Sequence, residues 1–356
     1  MKRQSSGRIY YMECVRIIAC VLIVLVHVSA QEWDKVSVHS HQWQVMNIFD
    51  CLGVMGVPMF LMISGALMLG EKFGNSIKKT LGKVFRLFVI YHIWLFVYNF
   101  VAFVKAGHPY TLYYIKEELL LPVMRGQGTY HLWFLPVLMV LYLLTPILKR
   151  AFSDQKVCEY FLILYFIFGQ LIPTMLLFEF PYKYLLMDYY NRTPFLMLTG
   201  YIGYYVAGHY IHHFVGPLSS VKRCVAVFVA IAGYVVTVVV CSTDAMQKGA
   251  PSVILNNPLT LPDFLATTCA YLVMKDVWIH RKQREGAGDV AQISGLTFGI
   301  YLIHPLLLAG FREIGVTTQI PHPVVMVPLI TVLVLVFSML ISWMLKKIPV
   351  VSKFIL

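Results

Sequence analysis

Charge is what this sequence has least of. Asp, Glu, Lys and Arg make up 13% of its 356 residues, against roughly 25% in a soluble domain. With 59% apolar residues and a mean hydropathy of +0.72, the chain lacks the polar surface that a soluble sphere needs, so its exterior must face lipid. Acidic residues are the scarcer sign, 17 against 29 basic ones, for a net charge of +12. In a soluble protein that excess would suggest nucleic acid. Here it reads as cytoplasmic loops facing anionic lipid, and no nucleic-acid partner is expected. The seven cysteines, Cys14, Cys20, Cys51, Cys158, Cys224, Cys241 and Cys269, are an odd number with no close pair. They read as small packing residues, which excludes a disulfide frame and a zinc site. No linker, low-complexity tract or second soluble domain interrupts the chain, so residues 1–356 are expected to form a single membrane unit.

What is abundant is apolar runs of membrane-crossing length. They fall at about 15–29, 48–69, 84–104, 132–148, 160–178, 194–211, 225–241, 259–277, 295–311 and 324–345. The expected fold is therefore all-α, a polytopic membrane helix bundle of about ten transmembrane helices. The first run imitates a secretory signal, with Lys2, Arg3 and Arg8 before it and Val28-Ser29-Ala30 after it. Arg16 and His27 inside that run, and the odd span count its removal would leave, favour a retained helix. The run at 259–277 is interrupted by Asp263 and three threonines, as suits a helix facing protein or a cavity. Alternate loops differ in basic residues: with the N-terminus inside, inner segments carry 19 and outer segments 8. Both termini are accordingly expected in the cytoplasm.

Ionisable groups inside such runs are costly and therefore point to function. Arg16 and His27 lie 11 residues apart, which on an α-helix leaves them about 20° out of phase and about 16 Å apart along the axis. One helix face should thus line a common chamber, with a cation near the inner leaflet and an imidazole near the outer. Snorkelling accounts for Arg16 alone equally well, and an interfacial histidine accounts for His27. Glu13, one turn before Arg16, is placed to pair with it. Lys79, Lys83 and Arg86 form a one-turn-spaced basic stripe entering the third span. The stripe suits the phosphates of a cytoplasmic carrier, with plain positive-inside anchoring as the alternative. His131 opens the fourth run beside Trp133, an interface residue. His304 sits mid-span before Pro305, which leaves the carbonyl one turn earlier without its donor, and Tyr301 shares its face. His92 reads as a helix-to-helix hydrogen bond. Gly53, Gly56, Pro58, Ser64 and Gly65 in the second run read as close packing, with Ser64 also counted among the substrate-binding candidates.

These stretches resemble the acyltransferase-3 family of bacterial membrane proteins, which O-acylate glycans and other extracytoplasmic acceptors. The resemblance rests on Glu13-Cys14-Val15-Arg16 through His27, an Arg-x10-His arrangement, and on Val57-Pro58-Met59-Phe60-Leu61-Met62-Ile63-Ser64-Gly65. It continues in His131-Leu132-Trp133-Phe134-Leu135 with Leu144-Thr145-Pro146, and in Phe298-Gly299-Ile300-Tyr301-Leu302-Ile303-His304-Pro305. Four motifs in order cover nearly the whole chain. The resemblance implies that Arg16 and His27 are functional, with His27 the catalytic candidate, and that Lys83 and Arg86 correspond to a basic pair that is commonly two arginines. Lys83 departs from that pattern and weakens a bidentate phosphate grip; Glu13 stands where an Asp is usual. No hydrolase-like domain follows the tenth run.

The resulting expectation is a multi-pass O-acetyltransferase of the bacterial inner membrane, moving an acetyl group from cytoplasmic acetyl-CoA to a hydroxyl of an extracytoplasmic or lipid-linked glycan. His27, Arg16 and Glu13 form the catalytic set, Lys79, Lys83 and Arg86 hold the acetyl-CoA, and His131, Tyr301, His304 and Ser64 bind the acceptor, with no metal. Partners are the glycan, membrane lipid, and either a second copy of the chain or a separate envelope protein. A glycan or small-molecule exporter is the alternative, and a structural membrane partner without chemistry a third reading.

Overall fold

A computed structural model describes residues 9–70, 76–128, 130–279 and 287–349. Of the basic residues used for orientation, Lys2, Arg3, Arg8, Lys72, Arg281, Lys282, Arg284 and Lys353 lie outside the described residues. Within them the chain is all-α, with thirteen helices of eight residues or more: α1 (Tyr10–Ser29), α2 (His41–Gly53), α3 (Gly56–Met68), α4 (Ile77–Lys105), α5 (Phe134–Ala151), α6 (Gln155–Leu164), α7 (Lys183–Arg192), α8 (Ile202–His213), α9 (Ser220–Lys248), α10 (Leu261–Ile279), α11 (Ala287–Ser294), α12 (Thr297–Glu313) and α13 (Pro323–Lys346).

Seven of the resulting rods are long and apolar enough to cross a membrane: α1, α2 with α3, α4, α5, α6 with its continuation to Met175, α9 and α13. An eighth is the pair α11 and α12, bent by 48° at the break between them. The other two expected runs became helices of a different kind. The run at 194–211 yields only the twelve residues of α8, because the chain first makes a 3-10 turn at Pro194–Leu198 and then passes Gly200 with a φ of +82°. The run at 259–277 is α10, whose charged residues each have a protein partner, although Asp263 Oδ2 is buried without one. Thr237 Oγ1 donates to Asp263 (2.9 Å), Lys275 Nζ donates to the carbonyls of Ile211 and Val215 (both 2.5 Å), and Arg223 pairs with Asp276 (2.6 Å).

Several helices begin earlier than hydropathy alone suggests, since a polar cap supplies partners for the orphan N–H groups of the first turn. Ser40 caps α2 by accepting from the Trp43 amide, and Ser76 caps α4 by accepting from the Lys79 amide. The second places Lys79, Lys83 and Arg86 on regular helix.

Helix α1 is the axis of the bundle. It touches α2, α3, α10, α11, α12 and α13, and its span is 61% buried, against 22% for α9 and 28% for α13. The outer helices instead show apolar stripes at helical spacing, Val221, Val225, Phe228 and Ile231 on α9 and Val325, Leu329, Val332 and Val336 on α13. Such outward-facing rows are what a bilayer solvates. Close approach to the axis depends on small residues. A Cβ on Gly53 would meet Val26 at 2.6 Å, and one on Gly56 would meet the Ala19 carbonyl at 2.7 Å. The packing reading of these glycines is what the structure shows. At the end of α1, polar contacts tie it to its neighbours where lipid offers none: Ser29 Oγ donates to Asp50 of α2 (3.1 Å), and Asn256 hydrogen-bonds the same carboxylate.

Candidate functional site

Arg16 and His27 of α1 both face inward, each onto a cavity. Arg16 Nη1 donates to Glu13 Oε2 (3.1 Å) and, across to α11, to Ser294 Oγ (3.3 Å). With its side chain one-quarter exposed, Arg16 shares the wall of a cavity of about 340 Å³ with Ser64, Lys83, Arg86, Tyr142 and Tyr301. Apart from Thr297, the rest of that wall is apolar, with Ile23, Phe60, Phe134 and Phe298 among it. α4 therefore brings Lys83 and Arg86 to Arg16, as the basic stripe and the α1 stripe together suggest. Lys79 is exposed and is not part of this wall. Arg16 thus has packed protein partners at a cavity wall.

His27 lines a different cavity, of about 740 Å³, with Gln31, Lys105, Tyr130, Pro305, Arg312 and Glu313. Between the two lies a layer of rings. The His304 ring stacks on His27 with centroids 5.2 Å apart and planes 18° from parallel. His131 meets His304 edge-on at 5.6 Å, and Tyr98 meets His131 at 4.9 Å. Tyr301, on the wall of the Arg16 cavity, donates its hydroxyl to the His131 carbonyl (2.6 Å) and lies 6.3 Å from His304 by ring centroids. Tyr98 donates to the Leu302 carbonyl (2.8 Å), next to the carbonyl that Pro305 leaves without a donor.

This corrects the expectation of one chamber. The shared face of α1 is real, but the two cavities have no lining residue in common, and the layer formed by Tyr301, His304 and His131 stands between them. The acceptor candidates are split accordingly. His131 and His304 join His27, whereas Ser64 and Tyr301 line the Arg16 side. Glu13 and Arg16 are likewise gathered at that side, one cavity away from His27. Spacing along a single helix carries no information about which side chains from other helices enter the gap, which is why the division was not legible.

The layer has unused hydrogen-bonding capacity. Both ring nitrogens of His131 and Nε2 of His304 are buried without a partner, while His304 Nδ1 donates to the Ile300 carbonyl (3.2 Å). Buried polar atoms are nearly always satisfied, so an unsatisfied pair of imidazoles beside a cavity makes this layer a candidate functional region. Among the described residues no group of three His, Cys, Asp or Glu side chains converges to hold a metal ion. His92 hydrogen-bonds the Phe88 carbonyl of its own helix (2.9 Å), not a neighbouring helix. Sequence reading missed Gln31, Tyr130, Tyr142 and Ser294. Of these only Gln31 carried a signal, its position one turn beyond His27 on the same face.

A model of the family described as "Acyltransferase domain" matches residues 9–346, almost the whole chain. The chain belongs to this family, the acyltransferase-3 family, and is an acyltransferase with the helices of a multi-pass membrane protein. No curated protein and no solved structure matches it significantly.

Proposed function

We propose that this enzyme is an O-acetyltransferase of the bacterial inner membrane, taking acetyl groups from cytoplasmic acetyl-CoA and placing them on a hydroxyl of an extracytoplasmic or lipid-linked glycan. The observation that carries the reading is the pairing of a cavity with three cations, Arg16, Lys83 and Arg86, and a cavity with an imidazole, His27, along one face of α1. With both termini in the cytoplasm, the cationic cavity opens toward the donor and the imidazole toward the acceptor. The motif set is also similar to that of the inner-membrane O-acetyltransferase of enterobacterial common antigen, so a lipid-linked saccharide repeat is the acceptor to try first.

The three cations compensate the phosphates of CoA, and the apolar wall beyond them suits the pantetheine arm. Arg16 is held by Glu13 and Ser294, so it meets the donor from a fixed position; it and Glu13 are donor-side groups. The arm reaches His27 by displacing the Tyr301 ring from the layer. There the acceptor hydroxyl attacks the thioester carbonyl while His27 takes its proton, the C–S bond breaks, and His27 returns the proton to the leaving thiolate. His304, stacked on His27, fixes the plane of that ring.

Transfer of labelled acetyl from acetyl-CoA to glycan in vesicles tests the reading. Replacing Lys83 and Arg86 together by alanine is expected to raise the acetyl-CoA KM by about tenfold or more, as two phosphate contacts are lost; an unchanged KM returns the stripe to membrane anchoring. Two cavities divided by a thin layer also suit a carrier. Movement of glycan across the vesicle with no consumption of acetyl-CoA would decide for export. Mass spectra of the envelope glycan with and without the gene should differ by about 42 Da for each acetyl group.

A further inference from the structure

Two carboxylates lie buried at the His27 end of the bundle, Asp50 on α2 and Asp263 in the first turn of α10, 5% and 2% exposed. Among the described residues neither forms an ion pair with a lysine, arginine or histidine. A buried carboxylate without such a partner is costly and calls for another source of positive charge. The two differ in their hydrogen bonds. Both oxygens of Asp50 are taken, Oδ1 by the Ser29 hydroxyl (3.1 Å) and Oδ2 by the Asn256 amide. Asp263 accepts from Thr237 at Oδ1 (2.9 Å), whereas its Oδ2 is bonded to nothing.

The surrounding contacts gather these groups. Asn47, one turn before Asp50, donates to the Val238 carbonyl (3.2 Å), so α2 meets α9 beside the Thr237 that holds Asp263. Asn256 belongs to the segment just before α10. Thr260 folds that segment onto the helix, donating to the Asn257 carbonyl (2.8 Å) and accepting the Phe264 amide at its own carbonyl (2.9 Å). Asp263 lies close enough to Asp50 to feel its charge. Two further oxygens here have no partner. One is Oδ1 of Asn256, a residue 8% exposed; the other is Oγ1 of Thr267, fully buried one turn after Asp263 on the same face of α10. A proton on Asp263 would cancel one charge and leave the Asn256 oxygen as it is. A water molecule would serve the oxygens and leave the charge. A small cation answers both.

We propose that Asp263 Oδ2, Asn256 Oδ1 and Thr267 Oγ1 form a binding site for a sodium ion. All three are oxygen ligands, which hard cations prefer. A divalent ion draws several carboxylates, but both oxygens of Asp50 are engaged, so one carboxylate oxygen is left to ligate. The neighbouring Thr237, Cys241 and Ala266 are fully buried, and such close packing favours sodium over the larger potassium. The ion ties α10 to the segment before it and, through Asn256, Asp50 and Ser29, to the end of α1 two residues past His27. The site stands apart from the acyl-transfer reading and does not depend on it.

Full-length protein in lipid nanodiscs, equilibrated with radioactive sodium and melted in choline chloride with increasing sodium chloride at constant ionic strength, tests this. Sodium should be retained, and should raise the melting temperature by about 3 °C at ten times its half-saturating concentration. Asp263→Asn should weaken retention at least about tenfold and abolish the shift, while melting in choline alone stays level or rises because a buried charge is gone. Thr267→Val keeps the shape of the side chain and should raise the half-saturating concentration about fivefold. No retained sodium, an equal shift with potassium, displacement by calcium at lower concentration, or full retention in Asp263→Asn overturns the proposal. Should Asp263→Asn fail to fold, wild-type sodium affinity in Thr267→Val overturns it equally.

Discussion

Replacing His27 by alanine is expected to lower acetyl transfer about 10³-fold, within the range that loss of a positioned general base produces. The side chain is half-buried at a cavity wall and makes its main contacts with the rings of His304 and Tyr130, so its removal widens the cavity without opening a gap in the packed axis. Accumulation in the membrane and melting temperature in detergent should stay near wild type. His27→Gln keeps much of the volume and the hydrogen-bonding edge but has no basic nitrogen, and should be as inactive as the alanine variant. Steady-state transfer from labelled acetyl-CoA, with acetyl-CoA binding measured separately, distinguishes the step affected. Binding should survive, since Arg16, Lys83 and Arg86 lie in the other cavity. A variant that transfers at more than about one-tenth of the wild-type rate would remove His27 from the role of base.

The largest expected effect on stability lies elsewhere, where α3 crosses α8. A Cβ built on Gly208 would sit 2.0 Å from the Met62 carbonyl oxygen, and one on Gly65 would sit 1.8 Å from the Tyr205 carbonyl oxygen. The two helices thus touch backbone to backbone, each through the glycine of the other, and a side chain at either point has no flexible neighbour to push aside. Gly208→Val should cost about 3 kcal/mol or more, the upper part of the range for overpacking a close contact, and appear as poor membrane accumulation and early melting in detergent. Gly310→Ala supplies the contrast. It lies inside α12 with nothing within 4 Å of its would-be Cβ, so alanine there should be neutral or stabilising by about 0.5–1 kcal/mol through helix propensity. Equal melting of Gly208→Val and wild type would mean that α3 and α8 do not pack in this way.

Much of this architecture could be read from one-dimensional pattern. Apolar runs and their length mark the helices because lipid demands internally satisfied backbone, and the x10 spacing puts Arg16 and His27 on one inward face of α1. The polarity of 259–277 correctly marks a helix whose charged groups are partnered by protein. What the pattern does not hold is anything that depends on tertiary neighbours. Hydropathy does not register that Gly200 and the preceding 3-10 turn shorten the sixth run to α8. Ser64 is indistinguishable in sequence from its small packing neighbours, yet it faces the same cavity as Lys83 and Arg86. The stacking of His304 on His27 arises because α12 lies against α1, a neighbourhood that 276 intervening residues conceal. Gln31, beyond the end of an apolar run, looks in sequence like an ordinary loop residue.

The ring layer has a consequence for the cell as well as for the reaction. A water-filled bore running past Arg16 to His27 would pass protons and small ions down their electrochemical gradient, and each elementary charge crossing 100 mV dissipates about 2.3 kcal/mol. Tyr301, His304 and His131 stand across that line, with His131 edge-on to both other rings and the Tyr301 ring tilted by 42° to His304. In the proposed reaction such a layer lets partners from opposite compartments meet while the membrane stays electrically tight, provided the Tyr301 ring yields only to an acyl chain that fills the space it vacates.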